Sequence, residues 1–149
     1  MTATNHTIAG ALVAATWPRP MLAIPLALAS HIALDALPHF GNTKISRRSH
    51  QYLAILGADS LIALTVLLVV LIVRPSNWQL MLICGVLAAS PDLLWLPYWI
   101  AELRRQTKSI GPISRFLSWV QWAELPWGWL LELAYFIIGL TLLIPVLSS

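Results

Sequence analysis

Long apolar runs, broken by short polar stretches, set the character of this chain. Residues 20–38, 51–73, 77–101 and 126–147 are apolar over 19 to 25 positions, each with a single acid. A helix rises 1.5 Å per residue, so runs of this length reach across a hydrocarbon core of about 30 Å. The pattern predicts four transmembrane helices. Residues 5–16 form a shorter apolar helix, which Trp17-Pro18-Arg19-Pro20 turns back with an aromatic and a cation suited to a membrane interface. Residues 112–124 alternate differently. Ile113, Phe116, Leu117, Trp119 and Val120 can face lipid while Ser114, Arg115, Ser118 and Gln121 face water, the pattern of a helix lying along the interface. The expected fold is all-α: one transmembrane helical domain of residues 1–149, with four spans, an N-terminal half-helix and one interfacial amphipathic helix.

Composition agrees. The chain is 58% hydrophobic and only 10% charged, more apolar than a soluble domain of 149 residues can cover with polar surface. Seven of the nine Lys and Arg residues (Lys44, Arg47, Arg48, Arg104, Arg105, Lys108, Arg115) lie in the two connections that the four-span arrangement puts on one side. The positive-inside rule makes those connections cytoplasmic and puts the C-terminus outside. The same rule accounts for the net charge of +3 without a nucleic-acid partner. Cys84 is a lone cysteine within an apolar run and reads as packing. No cleavable signal peptide is expected, because the first residues lack a basic region.

The chemistry lies in what interrupts the apolar runs. His31, Asp35 and His39 follow one another at steps of four, which on a helix places them on one stripe. Four of the six carboxylates, Asp35, Asp59, Asp92 and Glu132, stand inside predicted spans, one in each. Each costs ~2.5–3.5 kcal/mol at a helix centre, so they are expected to cluster about a common partner. Counting along each span puts His31, Asp59, Asp92 and Glu132 at roughly the same depth, about 10–14 Å from the cytoplasmic edge. Small residues, Gly57, Ala58 and Ser60 beside Asp59 and Gly85, Ala88, Ala89 and Ser90 before Asp92, allow close helix approach, and Pro91 is expected to kink its helix. Folding residues 5–38 as an antiparallel hairpin brings His6 level with His31.

No lysine or arginine lies inside a span, so a divalent cation is the economical partner for these acids. Imidazole and carboxylate together suit zinc, with manganese or iron as alternatives, better than calcium or magnesium. The candidate metal ligands are His6, His31, Asp35, Asp59 and Asp92. Asp35, Asp59 and His39 are the candidate catalytic groups, one of them acting as general base toward a water acidified by the metal. Glu132 reads as a packing acid among Trp127, Trp129 and Tyr135, and His50 as a loop residue. The tryptophans and tyrosines at 78, 95, 98, 99, 119, 122, 127 and 129 read as an interfacial belt. Arg104, Arg105 and Lys108 set topology and can also meet a phosphate headgroup.

The motif Ser30-His31-x-x-Leu34-Asp35-x-Leu37-Pro38-His39, together with Pro91-Asp92, resembles the membrane-bound metal-dependent hydrolases of the LexA-binding-like inner-membrane group. Their hallmarks are a membrane-embedded Ser-His followed four residues later by Asp, and a separate Pro-Asp. The resemblance implies metal-ligand roles for His31, Asp35 and Asp92. More loosely, the site is similar to the helical bundles of zinc-dependent phospholipases C and nucleases, which gather His and Asp ligands from several helices. The expected activity is hydrolysis of an ester or phosphoester in a membrane lipid or lipid-linked substrate. Two other classes share the same residues: a proton- or ion-coupled transporter or channel with the carboxylates as a relay, and a structural membrane protein whose polar cluster fixes helix register.

Overall fold

The computed structural model describes residues 1–41, 45 and 48–148. Seven α-helices follow one another: α1 (Ala3–Thr16), α2 (Pro20–Asp35), α3 (His50–Val73), α4 (Trp78–Ala89), α5 (Leu96–Leu103), α6 (Pro112–Val120) and α7 (Trp129–Leu147). A 3₁₀ segment, Ser90–Trp95, joins α4 to α5, so residues Trp78–Leu103 run as one nearly continuous rod. Its cause is the one expected of Pro91, which has no N–H for the Leu87 carbonyl. Ser90 answers that carbonyl instead, through its own N–H and through its hydroxyl at 2.9 Å.

The short first helix is the axis of the bundle. α1 packs against α2, α3, α4 and α7, and Thr4, Asn5, His6, Thr7, Ile8, Gly10, Ala11 and Ala14 along it are buried. A helix enclosed on every side has to be thin. At Gly10 an added Cβ would lie 2.2 Å from the Cys84 carbonyl oxygen, so α1 and α4 meet backbone to backbone there. Gly85, as expected, sits in the same seam, 3.2 Å from the Thr7 carbonyl oxygen on the same construction. Gly57 does not follow this pattern, since a Cβ on it would meet nothing.

The exterior is apolar, and the interior joins an apolar core about Ile8, Ala11, Met81, Cys84 and Leu143 to a polar group at the start of α1. Leu61, Leu64 and Ile72 of α3 and Ile137, Ile138 and Leu142 of α7 are exposed, while Thr4, Asn5, His6 and Thr7 are enclosed. Three described helices, His50–Val73, Trp78–Leu103 and Trp129–Leu147, are long and apolar enough to cross a membrane. α2 is not among them. Its 16 residues end at Asp35, making it about 24 Å long, whereas the sequence pattern predicts a span to residue 38. Pro38 explains the difference, because the residues before a proline are driven out of the helical region.

Beyond Pro38 the chain forms a two-residue strand, β1 (His39–Phe40), pairing in parallel with β2 (Glu124–Leu125). The bonds run from His39 N–H to the Ala123 carbonyl (3.3 Å) and from Gly41 N–H to the Leu125 carbonyl (3.2 Å). Gly128 lies under this bridge, where a Cβ would come within 2.2 Å of the His39 carbonyl oxygen. The two connections are thereby tied together at one end of the bundle. Lys44 and Arg47, which contribute to the charge bias, lie outside the described residues.

α6 lies on α2 with a different face from the one its pattern suggests. Ser114, Leu117 and Val120 are buried against the bundle, and Ile113, Phe116 and Trp119 point outward. The stripe at steps of three won over simple amphipathicity because Gln121, at its end, finds a buried carboxylate to bind.

Candidate metal centre

The hairpin α1–α2 brings His6 level with His31, and their rings stack with centroids 4.0 Å apart. Asp35, one turn beyond His31, lies between the two imidazoles: Oδ1 is 3.2 Å from His6 Nε2 and Oδ2 is 3.3 Å from His31 Nε2. Asp92, carried into place by the 3₁₀ segment, has Oδ1 4.0 Å from His31 Nε2. His6, His31, Asp35 and Asp92 each offer one ligand atom, and these atoms all lie within 4.8 Å of one another. The first three are buried, and Asp92 is 32% exposed, which makes it the open side of the group.

Hydrogen bonding sets the state of the rings. His31 Nδ1 is 2.9 Å from the Ala88 carbonyl oxygen. A carbonyl can only accept, so Nδ1 carries a proton and donates it, which leaves Nε2 free to present a lone pair to the carboxylates. A backbone carbonyl that orients a ring in this way is the usual support of a metal-binding histidine. His6 makes no hydrogen bond of good alignment through either ring nitrogen, although it is completely enclosed. Buried polar atoms are nearly always paired. The one polar group near it is the Asp35 carboxylate, 3.2 Å from Nε2, which a protonated ring pairs with directly and a neutral ring pairs with through a cation.

No protein-family model, curated protein or solved structure matches this chain.

The four residues could hold a metal ion. Tetrahedral zinc with bonds of about 2.0–2.2 Å holds its ligand atoms about 3.4 Å apart, close to the two short separations here and within a side-chain adjustment of the longer ones. Asp35 retains further acceptor capacity for its other neighbours. The Met1 amino group donates to Oδ1 at 2.8 Å, and Gln121 Nε2 donates to Oδ2 at 3.0 Å.

Asp59 does not join the group, contrary to the expectation that it is a metal ligand and a catalytic acid or base. Its Oδ2 accepts the Ala3 N–H (2.8 Å), and its Oδ1 accepts the Thr4 N–H (3.0 Å) and the Thr4 hydroxyl (2.6 Å). The first turn of a helix has donors without intrahelical partners and a partial positive charge. α1 has no acid in its own first turn, so an acid from α3 takes that place. Glu132 of α7 does the same, accepting the Thr2 N–H through Oε2 (3.1 Å) and the Phe40 N–H through Oε1 (3.0 Å). It is a packing acid, as read from the sequence, but its partners are backbone groups; the Tyr135 hydroxyl donates to the Pro38 carbonyl instead.

His39 leaves the helical stripe because α2 has ended. It is buried in β1, where its Nδ1 donates to the Leu37 carbonyl (2.8 Å), and it is not part of the four-residue group. Its position fits a structural role in the β1–β2 tie better than that of general base. Two contributors carried no signal in the sequence. Gln121 reads as a water-facing polar residue of an amphipathic helix, and the Ala88 carbonyl has no side-chain trace at all. Only the absence of a Pro91 N–H marks that stretch of backbone as irregular.

Proposed function

We propose that this protein is a membrane-embedded metalloenzyme that binds a divalent metal through His6, His31, Asp35 and Asp92 and hydrolyses an ester or phosphoester of a lipid or lipid-linked substrate. The observation that carries the reading is that His6, His31, Asp35 and Asp92 turn ligand atoms to within 4.8 Å of one another, the first three of them buried. Zinc suits two imidazoles and two carboxylates best, with manganese or iron next. Such a metal supplies a Lewis acid and an acidified water. Asp92, at the open edge, is the group best placed to take a proton from that water or to yield its place to substrate. The resemblance of the Ser30-His31 to Asp35 and Pro91-Asp92 motifs to membrane-bound metal-dependent hydrolases points the same way.

In this arrangement the α1–α2 hairpin holds the four-residue group in the cytoplasmic half of the inner membrane. The three long helices span it, α6 lies at the cytoplasmic interface, and the C-terminus is outside. A purely structural polar core accounts well for Asp59 and Glu132, each satisfied by the N-terminus of α1. It gives no reason for two stacked histidines against Asp35 and Asp92.

Elemental analysis of the detergent-purified protein, beside His31→Ala and Asp92→Asn, tests the proposal. Near-stoichiometric zinc, manganese or iron in the native chain, lost in both variants while they remain folded, is the expected result. Absence of metal from all three folded proteins would refute it and leave the carboxylates to be tested as a proton pathway by flux in proteoliposomes.

A further inference from the structure

Beside the one half-open ligand runs an apolar groove, lined by Leu28 and Ile32 of α2, Pro91 and Leu94 of the 3₁₀ segment, and Ile113 and Phe116 of α6. We infer that this groove seats the acyl chain of a single-chain lipid phosphoester whose phosphate reaches the metal at Asp92. The inference rests on the metal reading above and adds the substrate class and the direction from which it enters.

Three observations favour this occupant. The groove adjoins the site along the chain: among its lining residues Pro91 precedes Asp92 and Ile32 follows His31. Access is one-sided, because His6, His31 and Asp35 are at most 1% exposed while Asp92 is 32% exposed. Asp92 is therefore the ligand that a substrate from outside meets first. The groove encloses about 360 Å³, within the range of small-molecule sites, and opens outward between Ile113, 65% exposed, and Leu94, 43% exposed. A phosphate head also fits the local charge. Arg115 lies on α6 between two groove residues, Ile113 and Phe116, and Arg104, Arg105 and Lys108 occupy the preceding exposed connection.

The test uses the full chain in detergent, loaded with cobalt(II), whose visible spectrum reports ligand exchange at the metal. Dodecyl phosphate and butyl phosphate are titrated into the native protein, Ile113→Trp and Leu28→Trp. Either indole fills part of the groove without touching a metal ligand. The expected result is that dodecyl phosphate binds each variant at least about tenfold more weakly than the native chain, since several methylenes lose their seat. Butyl phosphate should bind all three proteins within about twofold. Comparison across variants at one detergent concentration cancels the partition of the long chain into micelles. Equal binding of dodecyl phosphate to native and both variants would overturn the inference and assign the groove to ordinary bilayer lipid. Butyl phosphate binding as tightly as dodecyl phosphate in the native chain would overturn it in favour of a free phosphate site. A native chain that takes up no cobalt would overturn the metal reading itself, a result distinct from the other two.

Discussion

Replacing Asp59 with Asn separates the two roles that a buried acid can play here. The carboxylate receives three hydrogen bonds from the first turn of α1, two from backbone N–H groups and one from the Thr4 hydroxyl. An asparagine can keep its oxygen toward Thr4, but its amide nitrogen then faces the Ala3 N–H. One donor is left unsatisfied at a cost of about 1–3 kcal/mol, and the remaining bonds lose the roughly twofold strengthening of an ionised acceptor. Loss of the charge at the N-terminus of α1 removes up to about 2 kcal/mol more in a partly buried setting. A total near 3 kcal/mol in a chain of this size corresponds to a fall in Tm of about 6–12 °C. Metal content should be unchanged, because Asp59 is outside the four-residue group. The assay is thermal unfolding in detergent, followed by tryptophan fluorescence, with metal content measured on the same sample. Loss of metal with Tm unchanged would refute this assignment and restore Asp59 as a ligand.

Two further outcomes follow from the same geometry. Gly10→Val should push α1 off α4, because its Cβ would lie 2.2 Å from the Cys84 carbonyl oxygen, a backbone atom with no freedom to move; loss of folded protein on size-exclusion chromatography is expected, and native yield and metal content would contradict the close approach. Lowering the pH at fixed free zinc should release metal, since both imidazoles must be deprotonated to bind it; occupancy measured by equilibrium dialysis from about pH 7.5 to about pH 5 should fall steeply, and a flat profile would count against histidine ligation.

Most of the helical layout is legible in the sequence, because apolar run length and bounding polar residues carry it. The predicted 51–73 and the observed His50–Val73 differ by one residue, and 77–101 differs from Trp78–Leu103 by one at its start and two at its end. The site is legible where it depends on local spacing. His31 and Asp35 are one helical turn apart, and the hairpin count alone pairs His6 with His31. It fails where a residue's role depends on which backbone end lies opposite. Nothing in the apolar run 51–73 tells that Asp59 faces the N-terminus of another helix. Nothing near Gln121 tells that Asp35 is within reach, since the face a short amphipathic helix buries is chosen by its neighbours. His39 shows the complementary failure: its step-of-four spacing is real, but Pro38 removes the helix on which that spacing has meaning.

The division of the four carboxylates within the apolar runs sharpens the case for a cation. Asp59 and Glu132 share the N-terminus of α1, which carries about half a positive charge. The Met1 amino group adds one more, at Asp35. Four ionised acids against these two sources leave the cluster short by roughly two and a half charges. Apolar surroundings cannot tolerate that deficit, so protons or a metal must supply it. Protons would need no particular arrangement of ring nitrogens. A divalent metal would need neutral imidazoles, one held by a backbone carbonyl and both facing the carboxylates across a gap of a few ångströms. His31 meets the first requirement through Ala88, and both rings meet the second, with His6 Nε2 3.2 Å and His31 Nε2 3.3 Å from the Asp35 oxygens. The acids therefore separate along one helix end: two hold α1 in place, and the other two, with the histidines that α1 and α2 position, form a group that can hold a metal ion.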